Sequence, residues 1–293
     1  MRKRFLHDEY GQEEAFWAKN WDRYWDKKYT SPPSVDKKLV RHIKKYLTKK
    51  MLVLEGGCGD CQYVRYLTDL GHQVVGVDFA KSTVAKVNKL LPDLDIRVGD
   101  ITDLDFPDNY FDAYYSGGVI EHFEEGVEKQ LAEARRVLKN GGYFFVTVPH
   151  MNIFRKITAF LRDEAYTIDM DGRKTFHKEN IQEFKKEIPP SNFHFHEYVF
   201  TTAEMHGFLE QYNLNIVEEV GFSAAFGLLD MEFYRKLVGV GKDRRSFLNK
   251  MFAGPLRLIR KLDSWDFWAA DLISNVYGEF AGNLKLYVCK VVK

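Results

Sequence analysis

Between Leu54 and Val64 the chain reads LEGGCGDCQYV, and two chemistries overlap in those residues. Cys58-Gly-Asp-Cys61 is a C-x-x-C, which at a helix N-terminus supports thiol–disulfide exchange. Gly57-x-Gly59, two residues behind the acid Glu55, is a loop whose backbone can approach a ligand closely while a following helix offers free N–H groups. A redox pair belongs beside a short βαβ core of about a hundred residues. Zinc would need a second ligand pair at ribbon spacing, which Cys58, Cys61 and Cys289 do not supply. The glycine reading accounts for more residues. Asp78 stands 78 − 57 = 21 positions beyond Gly57, at the end of a second apolar run, where an acid receives ribose hydroxyls. The stretch is therefore read as a cofactor loop.

The surrounding pattern says which elements must hold that loop. Met51 to Glu55 is an apolar run with a β-branched member, followed by the glycines and by Val64, Leu67 and Leu70 at helical spacing, with Gly71 as the stop. Gln73 to Val77 reads as a second strand, and Ser82 as the cap of a helix closed by Pro92. Strands are expected at Asp95 to Val98, Asp112 to Tyr115 and Tyr143 to Val148, the last after a helix that stops at Gly141-Gly142. Leu214 to Val220 and Leu284 to Val292 complete the set, with a capping box at Thr201-Thr-Ala-Glu204 between. Such alternation implies a doubly wound, mostly parallel α/β sheet.

Outside this core, Trp17, Trp21, Tyr24 and Trp25 fall on one face of a helix from Glu13 to Tyr29, broken by Ser31-Pro-Pro-Ser34 before a second helix at Val40 to Leu47. Residues 1–50 are expected to form a helical lid, 51–150 the cofactor-binding core and 151–200 an insertion with its own helices, serving as a substrate cap. Residues 201–293 return to the core sheet, with a helical insertion at 222–281.

Composition bounds the function. With 293 residues, 45% of them hydrophobic, the chain can bury one large core or two modest ones. A net charge of +1 removes the overall basicity of a nucleic-acid coat, so no nucleic-acid partner is expected. Three cysteines suit a reducing compartment, no secretory signal is readable and no apolar run spans a membrane, so the expected location is cytoplasmic. Basic residues and a helical apolar stripe within 235–280 would offer peripheral membrane contact, although a solvated face over an ordinary core helix is the better explanation of them. His194-Phe-His196-Glu197 places two imidazoles on one strand face without a third ligand, so no metal is expected.

A dinucleotide loop would carry glycine at its sixth position, where this chain has Gln62. The stretch instead resembles the first motif of class I S-adenosylmethionine-dependent methyltransferases, acid-x-Gly-x-Gly-x-Gly. Glu55, Gly57 and Gly59 match it, and Cys61 replaces the last glycine. The resemblance runs from Val53 to Val148 and implies a Rossmann-like, mostly parallel seven-stranded sheet. It also implies that Glu55, Gly57, Cys58 and Gly59 hold the methionine end of the cofactor S-adenosyl-L-methionine. Asp78, with Phe79 beside it, would bind the ribose, and Asp100 with Ile101 the adenine. Tyr115-Ser-Gly-Gly-Val-Ile-Glu-His-Phe123 corresponds to the fourth motif, bringing Ser116 and Gly117 to the place where cofactor and acceptor meet. Glu121-His122 is similar to the branch acting on small molecules, including ubiquinone biosynthesis, and the aromatic N-terminal helix resembles that family's lid. The implied acceptor is a small molecule of sugar, quinone, lipid or acid type. His122 and His150 are the candidate bases where that acceptor must lose a proton. The alternatives are a cofactor-binding protein without turnover, or an aminopropyl transferase on the same fold.

Overall fold

The computed structural model describes residues 2–7, 17, 31–153, 155–156, 166–168, 174–179, 193–222 and 282–293. In chain order the elements used below are β1 (Arg2–His7), α1 (Lys37–Lys44), β2 (Leu52–Gly56), α2 (Gln62–Asp69), β3 (Gln73–Asp78), α3 (Lys81–Leu90), β4 (Asp95–Val98), β5 (Phe111–Gly117), α4 (Glu128–Val137) and β6 (Leu138–Pro149). They continue with β7 (Tyr166–Ile168), β8 (Lys174–Glu179), β9 (Phe193–Val199), α5 (Thr202–Gln211), β10 (Leu214–Phe222) and β11 (Leu284–Val291).

Seven strands form one sheet in the order β10-β11-β6-β5-β2-β3-β4. The pairs β2–β3, β3–β4, β2–β5 and β5–β6 are all parallel. β11 runs against both neighbours: the Val292 N–H reaches Asn213 O and the Lys293 N–H reaches Asn140 Oδ1, while at its other end Asn283 O accepts the His150 N–H. The sheet is thus mostly parallel, as expected of runs apolar on both faces. Val53, Leu54, Ala113, Tyr114, Phe144 and Phe145 are buried within it, and Val64 and Leu67 turn the apolar side of α2 onto β3. From β2 the chain winds outward through β3 to β4, then returns to β5 on the other side of β2. The reversal lies between the carboxyl ends of β2 and β5, where a parallel sheet opens a crevice for ligands.

Local boundaries differ from the sequence reading at three places. Ser82 does not cap α3: the cap residue is Ala80, whose N–H is held by the Asp78 carboxylate two residues back. α4 ends at Val137 rather than at the glycine pair, because Leu138 already turns extended and pairs with Phe111. Gly141, at a φ of 79°, lies inside β6 near a register shift, so it marks a bulge and not a stop.

The chain divides into two compact units, Met1–Tyr10 with Val148–Met205 and Glu219–Leu286, and Gly11–Thr147 with His206–Glu218 and Tyr287–Lys293. In the first, β7-β8-β1-β9 form a four-stranded sheet. β1, expected within a helical segment, is an interior strand because β8 and β9 satisfy its backbone on both sides. The described stretches of 151–200 are mainly strands where helices were expected; the alternation Phe193-His-Phe-His-Glu-Tyr-Val199 has the period of two that suits β9. Trp17 is described, whereas Trp21, Tyr24, Trp25 and 235–280 lie outside the described residues. No helix among the described residues is long and apolar enough to cross a membrane.

Candidate functional site

At the carboxyl end of β2 the chain must turn sharply from strand to helix, and it does so through alternating left-handed residues: Gly57 at a φ of 73°, Gly59 at 47° and Cys61 at 58°. Gly57 and Cys58 both donate their N–H to Val77 O, and the Cys61 N–H closes a turn onto Cys58 O at 2.7 Å. A Cβ on Gly57 would lie 2.5 Å from Val119 Cγ2, so glycine is required both by backbone and by the approach of the loop after β5. Cys61 occupies the left-handed position that glycine fills in the first motif, which explains the family's preference there. Its Sγ lies 3.5 Å from Gly59 O and 3.6 Å from Cys58 Sγ. Both thiols are buried and free. Hydrogen bonding with Cys61 and burial push Cys58 well up; Cys61 is also raised, the opposing effect of its bond to Cys58 being outweighed by burial and nearby carboxyl groups.

The carboxyl ends of β2, β3 and β4 each bring an acid. Asp78, buried, accepts the Gly59 N–H at 2.8 Å through Oδ2 and the Ala80 N–H at 2.9 Å through Oδ1, locking the glycine loop to the end of β3. Phe79 beside it is 46% exposed, an uncovered aromatic face. Asp100 is exposed, and its Oδ1 accepts both the N–H and the hydroxyl of Thr102; Ile101 is buried behind it. Glu55 is buried, and its Oε2 has no hydrogen-bond donor among the described residues. Burial, then the charge of Asp60, raises its carboxyl well above the usual range, Asp78 adds to this, and the Val64 N–H opposes it. On β5, Ser116 is buried with an unpartnered Oγ, beside Gly117.

Several contacts escaped the sequence reading. Ser34 N–H donates to Gln62 Oε1, Asp36 N–H to the Tyr63 hydroxyl, and Arg65 to Ser31 O, so the segment before α1 is tied to the first turns of α2. Tyr63 packs against Tyr115 with ring centroids 4.9 Å apart and the planes tilted by 55°, and the Tyr115 hydroxyl bonds Thr147. Asp60, hidden inside the C-x-x-C, is a buried acid within the loop itself. Only the proline pair at Pro32-Pro33 hinted at an extended tie. His122 ends a short 3-10 turn after β5, and Trp17 packs edge-on against it with ring centroids 4.8 Å apart.

The remaining candidates belong to the first unit. His150 is buried, its Nδ1 has no partner, and burial followed by Lys285 and Arg155 lowers it to about 4, so it is neutral and weakly basic at pH 7. In β9, Glu197 pairs with Arg4, and His196 Nε2 lies 3.9 Å from Glu197 Oε2.

The comparisons agree with this geometry. A family model described as a methyltransferase domain matches residues 54–146. A probable S-adenosylmethionine-dependent methyltransferase of Mycolicibacterium smegmatis is 36% identical over 102 residues, 35% of this chain and 39% of that protein. The mouse eEF1A lysine and N-terminal methyltransferase is 27% identical over 144 residues, covering 44% of this chain and 21% of its own length. The matches thus span about two fifths or less of these curated relatives. Among solved structures, the Haloferax volcanii complex of the Trm112 methyltransferase activator with a methyltransferase shares the fold, with a TM-score of 0.53, 16% identity and 98% of each chain covered. Glycine loop, acid-tipped strands and matched segment coincide: residues 54–146 carry a methyltransferase domain of the class I S-adenosylmethionine-dependent kind.

Proposed function

We propose that this chain transfers the methyl group of S-adenosyl-L-methionine to a small-molecule or lipid- or sugar-type acceptor. The observation that carries the reading is the row of acids at neighbouring strand ends, Glu55, Asp78 and Asp100, beside the reversal between β2 and β5. Two buried polar atoms there, Glu55 Oε2 and Ser116 Oγ, have no hydrogen-bond partner among the described residues, which fits a polar ligand completing them.

Glu55 and the Gly57–Gly59 backbone would hold the methionine end, with Ser116 and Gly117 alongside. Asp78 would accept the ribose hydroxyls through lone pairs not used by Gly59 and Ala80. Asp100 would receive the adenine amino group, with Phe79 and Ile101 as apolar surface. The bound cofactor supplies an activated methyl on a sulfonium, which an acceptor takes by in-line displacement. The chain's main task is alignment, and Trp17 against His122 would help exclude water. His122 is the side chain assigned to take a proton from an acceptor hydroxyl; the lowered basicity of His150 makes it the weaker candidate.

The test is transfer from methyl-labelled cofactor into separated metabolite and protein fractions of a cell extract. Label in the metabolite fraction, reduced about 100-fold or more by His122→Ala, is the expected result. Label confined to protein, in line with the eEF1A methyltransferase similarity, overturns the small-molecule acceptor. Cofactor binding without transfer to either fraction would leave the chain a binding protein.

A further inference from the structure

Resting on that reading of the cofactor site, we propose that Glu55 stands in the free protein as a neutral carboxylic acid and gives its proton to solvent when the cationic amino-acid end of the cofactor settles beside it. The geometry leaves Glu55 little alternative. It closes β2 at 5% exposure, one oxygen accepts the Val64 N–H from the first turn of α2, and Oε2 is buried with no donor. An ionised carboxylate so placed would be an incompletely compensated buried charge, a state proteins avoid by neutralising the group.

The groups facing it make ionisation harder still. Asp60, Cys58 and Cys61 approach from the glycine loop, Asp78 from the end of β3, Tyr63 from α2 and Tyr115 from β5. Each of these six is an acid, neutral or negative, and none supplies positive charge. A ligand ammonium supplies both the missing donors and the missing charge. On binding, the Glu55 O–H bond breaks, the electron pair stays on the carboxylate and the proton passes to water or buffer. Affinity must then rise with pH while the free protein remains protonated, by about tenfold per unit for one proton. The same device discriminates by charge, since a ligand without the ammonium cannot displace the proton.

The experiment is calorimetric titration of the full chain with S-adenosylhomocysteine, whose only cation is the ammonium. Phosphate and Tris buffers are compared at pH 6.5, below the range of about 7.7–8.0 where an α-amino group titrates. The expected result is a difference in heat equal to release of about one proton per ligand in the wild type and none in Glu55→Gln. Infrared difference spectra should lose a protonated-carboxyl stretch on ligand addition in the wild type alone. Saturable binding with equal heats in both buffers overturns the proposal while leaving the cofactor reading intact. Absence of any binding overturns that reading, and the proposal with it.

Discussion

Cys61 shows how a single residue can mislead and inform at once. Its spacing from Cys58 suggests redox chemistry, but the thiols lie in a turn of left-handed residues, buried beside Asp60 and Asp78, and burial and the neighbouring negative charge oppose thiolate formation. Native protein at pH 7 should therefore resist alkylation at Cys58, Cys61 and Cys289, and unfolded protein should react at all three; rapid native labelling of Cys58 or Cys61, read by mass, would refute this. Glu55, Gly57, Gly59 and Asp78 were legible because close backbone approach and charge at strand ends leave a spacing in the sequence. Tyr63, Asp60 and the Trp17–His122 contact were not, because their meaning arises only when distant segments meet. His150 illustrates the same limit: its position in the sequence says nothing of its burial. Its folded value of about 4 lies below the ordinary 6.5, so its contribution to stability is full above pH 6.5 and is lost as pH falls toward 4, by up to about 3 kcal/mol. Denaturant midpoints should accordingly fall more steeply on acidification in wild type than in His150→Asn, and parallel pH profiles would contradict the assignment.

At the scale of elements, the parallel strands β2, β3, β5 and β6 announced themselves as apolar runs because burial on both faces needs apolar side chains in sequence. The capping box was equally readable and is formed as expected: the Thr201 hydroxyl accepts the Glu204 N–H, and the Glu204 carboxylate accepts the Thr201 N–H. Thr201→Ala should cost about 1 kcal/mol, measured by urea unfolding, whereas Thr201→Ser, which keeps the capping hydroxyl, should cost less. What stayed hidden were β1 and the strands around it, since their stability comes from pairing between segments far apart in the chain rather than from local preference. The tie from Ser31–Asp36 to α2 has a consequence for Trp17, which precedes it by 14 residues and touches His122. Trp17→Ala should lower kcat/KM about tenfold or more without lowering the unfolding midpoint of the sheet. A large stability loss with unchanged kcat/KM would make Trp17 simple packing.

Across the whole molecule, the order of strands does what no residue does alone: it sets the carboxyl ends of β2, β3, β4 and β5 side by side, so acids 45 positions apart, Glu55 and Asp100, stand at the same edge of the sheet. Gln62, already engaged by Ser34 and by Asp60 O, stands where a dinucleotide loop would have glycine, so NADH should show no binding. The most direct test is the equilibrium affinity for S-adenosyl-L-methionine of wild type against Asp78→Asn, which preserves size and removes charge. At about 1.5–3 kcal/mol for a charged hydrogen bond, binding should weaken roughly 10- to 150-fold in the variant, with its sheet still folded by circular dichroism. Equal affinity in the two proteins, or no affinity in either, would contradict the account.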